Sequence, residues 1–252
     1  MPMSERVVTT HKLGPVLLIR LQDEASRNAF TDSLLTQLRE TFFSVSEETR
    51  CVVLTGVGNY FSTGGTQDSL IAIHERQTTF IGDDGSAAVY TLPLECPVPV
   101  IAAMQGHAIG GGLSLGLFAD LIVLSKESVY SASFMKYGFT PGFGSTLIFP
   151  EKLGTALGTE MLLTGETYRG SKLADRGVGF EVVPRAEVET RALAMAESLA
   201  EKPRASLVTL KRHLTHTIRQ RLPEITEREL QMHEATFHEP EVKARILNLF
   251  HN

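Results

Sequence analysis

Two glycine-containing turns, each following an apolar strand-like run, carry the chemistry this chain can do. The first is Phe61-Ser62-Thr63-Gly64-Gly65-Thr66-Gln67, reached from the apolar run Val52-Val53-Leu54-Thr55-Gly56. The second is Gly106-His107-Ala108-Ile109-Gly110-Gly111-Gly112, directly after Pro99 to Met104 and opening an apolar helix. Amides at a helix start have no partner within the helix, and glycine lets a ligand atom approach them closely. Two such turns aimed at one oxygen form an oxyanion hole, the device that stabilises an enolate developing on a thioester. As a dinucleotide fingerprint the second turn fails, because its glycine spacing is wrong and no acidic residue falls at the required distance.

These positions have to be held by strands and helices. The patterns predict strands over Val7–Thr10 and Val16–Leu21, joined by a turn at Leu13-Gly14-Pro15, and a helix from Thr31 to Glu47 with Thr31 as N-cap. Further strands are expected over Arg50–Gly56, Val98–Met104, Leu121–Ser125 and Val129–Ser131, with helices between them, an alternation that implies an α/β core. From Ser145 helices dominate, with the last four read as Ala186–Glu201, Arg204–Arg219, Pro223–Phe237 and Pro240–Phe250. In the third of these, Leu230, His233 and Phe237 share one face, and Pro223 fits a helix start.

The two turns together resemble those of the crotonase, or enoyl-CoA hydratase/isomerase, superfamily. The likeness continues through Ala119-Asp120-Leu121-Ile122-Val123, Gly138 to Gly142, Leu162 to Gly165 and Ala174 to Val178. It implies a ββα spiral core over residues 1–190 and a C-terminal helical region over 191–252 used for trimerisation and for covering the site. It also implies that the amides of Gly65 and Gly111 form the oxyanion hole. Hydratases of this superfamily place two glutamates where this chain has Ser114 and Phe134, and a carboxylate or amide where it has Thr66. Water addition needs a positioned acid and base. A serine is a poor base and a phenyl ring none, so hydratase activity is disfavoured.

Within the superfamily, the blocks Phe61 to Gln67, Ala102 to His107, Phe134 to Pro141 and Thr167 to Gly170 are similar to the decarboxylases of polyketide β-branching cassettes of trans-acyltransferase clusters. That likeness implies loss of carbon dioxide from a 3-methylglutaconyl group on an acyl carrier protein, through a dienolate, to a 3-methylcrotonyl-type thioester. It implies His233 as the group that protonates the dienolate, and Thr66, Gln67, Ser114 and Phe134 as substrate contacts. Some of these decarboxylases carry a lysine where this chain has Ile73; Gln67, Ser69, His74 and Gln77 are the other candidate polar liners nearby. Lys136, Lys211, Arg212 and Arg219 are candidates to meet a phosphopantetheine phosphate, and His107 reads as structural. Expected partners are the carrier protein, or coenzyme A as alternative carrier, and further copies in a homotrimer or dimer of trimers; no cofactor and no metal is expected. Two rival functions share these features: a thioester double-bond isomerase using the same hole, and a non-catalytic carrier-protein binding protein, for which an intact oxyanion hole has no use.

Composition bounds the rest. The 252 residues are 42% hydrophobic, enough for a large core, and the net charge of −5 argues against nucleic-acid binding. The two cysteines, Cys51 and Cys96, form no metal or disulfide pattern, which suits a reducing cytoplasm. No run approaches the ~20 apolar residues of a membrane span, and the start lacks a secretory signal. The turn-rich Asp83-Asp84-Gly85-Ser86 is expected to be disordered or to form a lid.

Overall fold

Strands Cys51–Gly56 (β3) and Val100–Met104 (β5) are apolar on both faces because helices and a second sheet cover both faces of the sheet that holds them. The computed structural model describes residues 6–78 and 89–250, so the Asp83–Ser86 segment lies outside the described residues. The larger sheet has six strands. Val8–Leu13 (β1) runs antiparallel to Val16–Leu21 (β2), and β2, β3, β5, Leu121–Ser125 (β7) and Glu181–Val183 (β10) follow in parallel.

A second sheet of four short strands, Tyr60–Ser62 (β4), His107–Ile109 (β6), Val129–Ser131 (β8) and Thr167–Arg169 (β9), takes one strand from each repeat. Thus β3 leads to β4 and the helix Gln67–His74 (α2), and β5 leads to β6 and the helix Gly111–Leu117 (α4). This repetition is the expected crotonase-like ββα spiral. The helix α4 opens at Gly111, within the three glycines as expected; one detail differs, in that the short strand β6 stands between Met104 and the helix.

The helix Asp32–Phe43 (α1) starts as predicted, with Thr31 Oγ1 accepting from Leu34 N–H, but ends at Phe43, four residues early. The far face of the large sheet is covered by Val188–Ala200 (α8), whose Val188, Ala192, Ala196 and Ala200 recur every four residues. Small side chains at that spacing let the helix axis sit close to Val53, Ile101 and Val123. Cys51 and Cys96 are buried and unpaired, and burial pushes the Cys51 thiol up to about 12.

The C-terminal helices correct one expectation. Arg204–Leu214 (α9) ends at Thr215, and the next helix, His216–Thr236 (α10), runs straight through Pro223 before Pro240–Leu249 (α11) follows. Proline removes one helical donor and its ring deprives the carbonyl four residues earlier of a partner. Pro223 lies inside α10 on its exposed face and does not mark a helix start.

Candidate active site

The first turn is fixed by a set of backbone and side-chain bonds that leaves the Gly65 amide free. Ser62 Oγ donates to the Asn28 carbonyl (2.7 Å) and accepts from Gly64 N–H (3.2 Å), and the Gly64 carbonyl accepts from Phe30 N–H (2.8 Å). Asn28, buried in the left-handed region, donates through Nδ2 to the Tyr60 carbonyl (2.8 Å) and accepts from Asp23 N–H (2.8 Å). Gly65 N–H is left without a partner among the described residues.

The second turn repeats the logic. Gly110, at φ 52°, donates to the Ser131 carbonyl (2.8 Å) and accepts from Ser114 N–H (3.1 Å) and Ser114 Oγ (3.2 Å). Gly111 then opens α4, and its N–H is likewise unpaired among the described residues. The turns touch: a Cβ on Gly64 would fall 2.8 Å from Gly111 N, and one on Gly112 would fall 2.2 Å from the Ser62 carbonyl oxygen. Glycine is required at both places for close backbone approach.

Both free amides open on one cavity of about 680 Å³. Gly65, Gly111, Thr66, Gln67, Phe134 and His233 all line it, with Leu70, Tyr90, Phe139 and Phe143 completing the apolar wall. Among the described residues no aspartate or glutamate lines it. Arg27 and Lys136, both exposed, are its cationic liners.

Several expectations about side chains are corrected here. Ser114 is fully buried beneath the cavity and does not line it; its Oγ serves Gly110 and sits 2.8 Å from Ser145 Oγ, which donates to the Gly142 carbonyl (2.6 Å). Its role is to hold the glycine turn. Thr66 lines the cavity but its Oγ1 caps α2, accepting from Ser69 N–H at 3.0 Å. Ser69, His74 and Gln77 bond elsewhere: Ser69 Oγ to the Thr66 carbonyl, His74 Nε2 to the Glu239 carbonyl and Gln77 to Glu75. Ile73 packs against the core. His107 Nδ1 accepts from Val129 N–H (3.0 Å), the structural role expected of it. Lys211 is only 4% exposed and is paired with Asp120, while Arg219 is paired with Glu95, so of the basic candidates only Lys136 reaches the cavity.

His233 is delivered by α10 on a buried stripe of Glu229, His233 and Phe237. Its Nε2 donates to the Thr140 carbonyl (2.7 Å), and a carbonyl can only accept, so Nε2 carries the ring proton. Burial holds the imidazole down at about 4, against the favourable carbonyl contact, and it is neutral at pH 7. Gly142 makes room for it, since a Cβ there would fall 2.1 Å from His233 Cε1.

Sequence reasoning missed Glu229. One helical turn before His233, it accepts from Gly144 N–H (2.5 Å), Thr146 N–H (2.8 Å) and Thr146 Oγ1 (2.6 Å), capping the helix Ser145–Leu153 (α5). That clamp sets the height of α10 and therefore of His233. Nothing local in Arg228-Glu229-Leu230 distinguishes it from a solvated glutamate.

The His233 shift has a sign that can be tested. Its folded value near 4 lies below the unfolded 6.5, so the unfolded chain binds more protons between them. This contribution is therefore whole above pH 6.5 and is lost as pH falls toward 4, by roughly 3 kcal/mol at most. Urea unfolding at pH 7 and pH 4.5 is expected to show a larger loss for the wild type than for His233→Gln; equal losses would contradict the assignment.

The enoyl-CoA hydratase/isomerase family profile matches residues 12–250, and the chain belongs to that family. It is 51% identical over 239 residues to the bacillaene synthase decarboxylase PksI of Bacillus subtilis, covering 94% of each chain. A solved structure of a dehydratase/decarboxylase enzyme couple involved in polyketide β-branching superposes with a TM-score of 0.95 at 50% identity, over 98% of this chain and 100% of that one. The ECH2 decarboxylase domain of CurF from Lyngbya majuscula superposes with a TM-score of 0.90 at 44% identity, over 96% and 98% of the two chains.

Proposed function

We propose that the protein removes carbon dioxide from a 3-methylglutaconyl-type thioester borne on an acyl carrier protein, leaving a 3-methylcrotonyl-type thioester. The observation that carries this reading is a cavity with two unpaired amides and, among the described residues, no carboxylate on its wall. Breaking the bond to the carboxylate sends an electron pair through the double bond onto the thioester oxygen, where Gly65 and Gly111 N–H receive it. Each such donor is worth about 3–4 kcal/mol in the transition state. The thioester is itself the electron sink, so the reaction as written calls on no metal or prosthetic group.

Phe134, Phe139 and Phe143 shape an apolar wall in which a carboxylate is poorly solvated, which favours its departure as neutral carbon dioxide. His233, neutral and bonded to the Thr140 carbonyl, lines the same cavity. Arg27 and Lys136 are placed for the phosphate of a phosphopantetheine arm or the acidic surface of a carrier protein. Hydration is disfavoured because no liner among the described residues can serve as the carboxylate pair it needs. We assign the same role as that of the relatives named decarboxylases above, and a homotrimer or dimer of trimers as the working assembly, which light scattering would read directly. Among the described residues no helix is long and apolar enough to cross a membrane, in keeping with work in the cytoplasm.

The test is mass spectrometry of 3-methylglutaconyl and crotonyl thioesters on carrier protein and on coenzyme A after incubation with the enzyme. The expected result is loss of one carbon dioxide from the first; gain of water by the second, or no change in either, would overturn the reading.

A further inference from the structure

We propose that the Tyr90 hydroxyl is the proton donor that quenches the dienolate after carbon dioxide leaves. This rests on the decarboxylase reading above. Tyr90 lines the cavity beside the oxyanion turn: a Cβ on Gly111 would fall 2.9 Å from its Oη and 2.6 Å from its Cε1. The ring is half-buried on the cavity wall, and its hydroxyl has no hydrogen-bond partner among the described residues. A substrate at the two amides would supply that partner.

The ring is held as a catalytic group must be. It stacks on Phe143, with centroids 4.5 Å apart and planes 15° from parallel, and meets Phe30 edge-on at 5.2 Å. Phe143 sits at φ 60°, a conformation that bulky residues avoid, directly after Gly142, which packs against His233. Strain of that kind persists where the surroundings fix a side chain, and here it presses one aromatic face onto Tyr90.

Other donors fit worse. The ring proton of His233 is committed to the Thr140 carbonyl. Ser133 faces Gly110, its Oγ 3.2 Å from where a Cβ would stand, and an alcohol is a far weaker acid than a phenol. Lys136 is exposed, where water competes for its ammonium. Burial raises Tyr90 above the ordinary phenol value, so it stays protonated at neutral pH, yet a dienolate carbon is a much stronger base than a phenolate. In the step, the electron pair left by the broken C–C bond forms the new C–H bond with the Tyr90 proton. The phenolate then takes a proton from water entering as product leaves.

A dienolate can be protonated at two carbons, and a fixed donor selects one. Single-turnover reactions in D₂O, read by NMR, are expected to give one deuterated regioisomer with the wild type. Tyr90→Phe should turn over at least ten-fold more slowly and give both regioisomers, because bulk water then protonates without selection. A fluorotyrosine at position 90 keeps ring and donor, and should restore the single isomer even if the phenylalanine variant is too unstable to assay. A single, unchanged isomer from a folded Tyr90→Phe protein overturns the assignment at whatever rate it forms. Absence of carbon dioxide release from the wild type would instead overturn the decarboxylase reading.

Discussion

Gly64→Ala is expected to lower kcat/KM for carbon dioxide loss by about 100-fold or more, the effect of losing an oxyanion donor. Gly64 sits at φ 75°, where an L side chain costs about 1–2 kcal/mol. The larger effect is steric, because the added Cβ would fall 2.8 Å from Gly111 N and 3.0 Å from Gly112 N and Ile109 O. All three are backbone atoms of the second turn, with no flexible side-chain end to give way, so the turns must part. Gly177→Ala separates the two causes: φ there is 78° but the added Cβ would meet nothing within 4 Å. It should cost similar backbone strain in a melt and keep wild-type turnover. If Gly64→Ala stays within a few-fold of wild type, the two turns do not act together.

The largest effect on stability is expected at Lys211. Its ammonium is buried, 2.8 Å from Asp120, and donates to the carbonyls of Pro93 (2.7 Å) and Val98 (3.0 Å). Asp120 in turn accepts from Val100 N–H (2.8 Å) at the start of β5, so the pair ties α9 to the strand that leads to the second oxyanion turn. Removing one partner of a buried pair strands the other charge, at about 3–5 kcal/mol. Lys211→Met should therefore lose that much in urea unfolding. Lys211→Met with Asp120→Asn should recover part of it, since the uncompensated charge is gone. A loss below about 1 kcal/mol for the single variant would mean that the pair is solvated.

What the sequence made legible follows the range of the forces involved. The β7 and β8 strands fall on the expected residues, because short apolar or β-branched runs bounded by turn residues are local signals. The two glycine turns were legible as well, since backbone approach of this kind demands glycine. Hidden were the features set by partners far along the chain. Lys211 meets Asp120 across 91 positions (211 − 120) and Glu229 meets Gly144 across 85, so each reads locally as an ordinary surface charge. Ser114 was placed correctly on α4 but assigned to the substrate; its buried bonds to Gly110 and Ser145 give it to the turn instead. Tyr90 carried no motif, and its value comes from the Gly111, Phe30 and Phe143 that surround it in space. Pro223 misled because a proline rule weighs the lost helical bond and cannot see that the position is exposed.

The central claim is that the amides of Gly65 and Gly111 grip one thioester oxygen. Isotope-edited infrared spectroscopy tests it without turnover, using a 3-methylcrotonyl thioester labelled with ¹³C at the carbonyl and bound to the wild type and to Gly64→Ala. The account predicts a carbonyl stretch moved to lower frequency on binding the wild type, with most of that movement gone in the variant. A bound thioester whose stretch matches that in water, or a movement of equal size in both proteins, would contradict it.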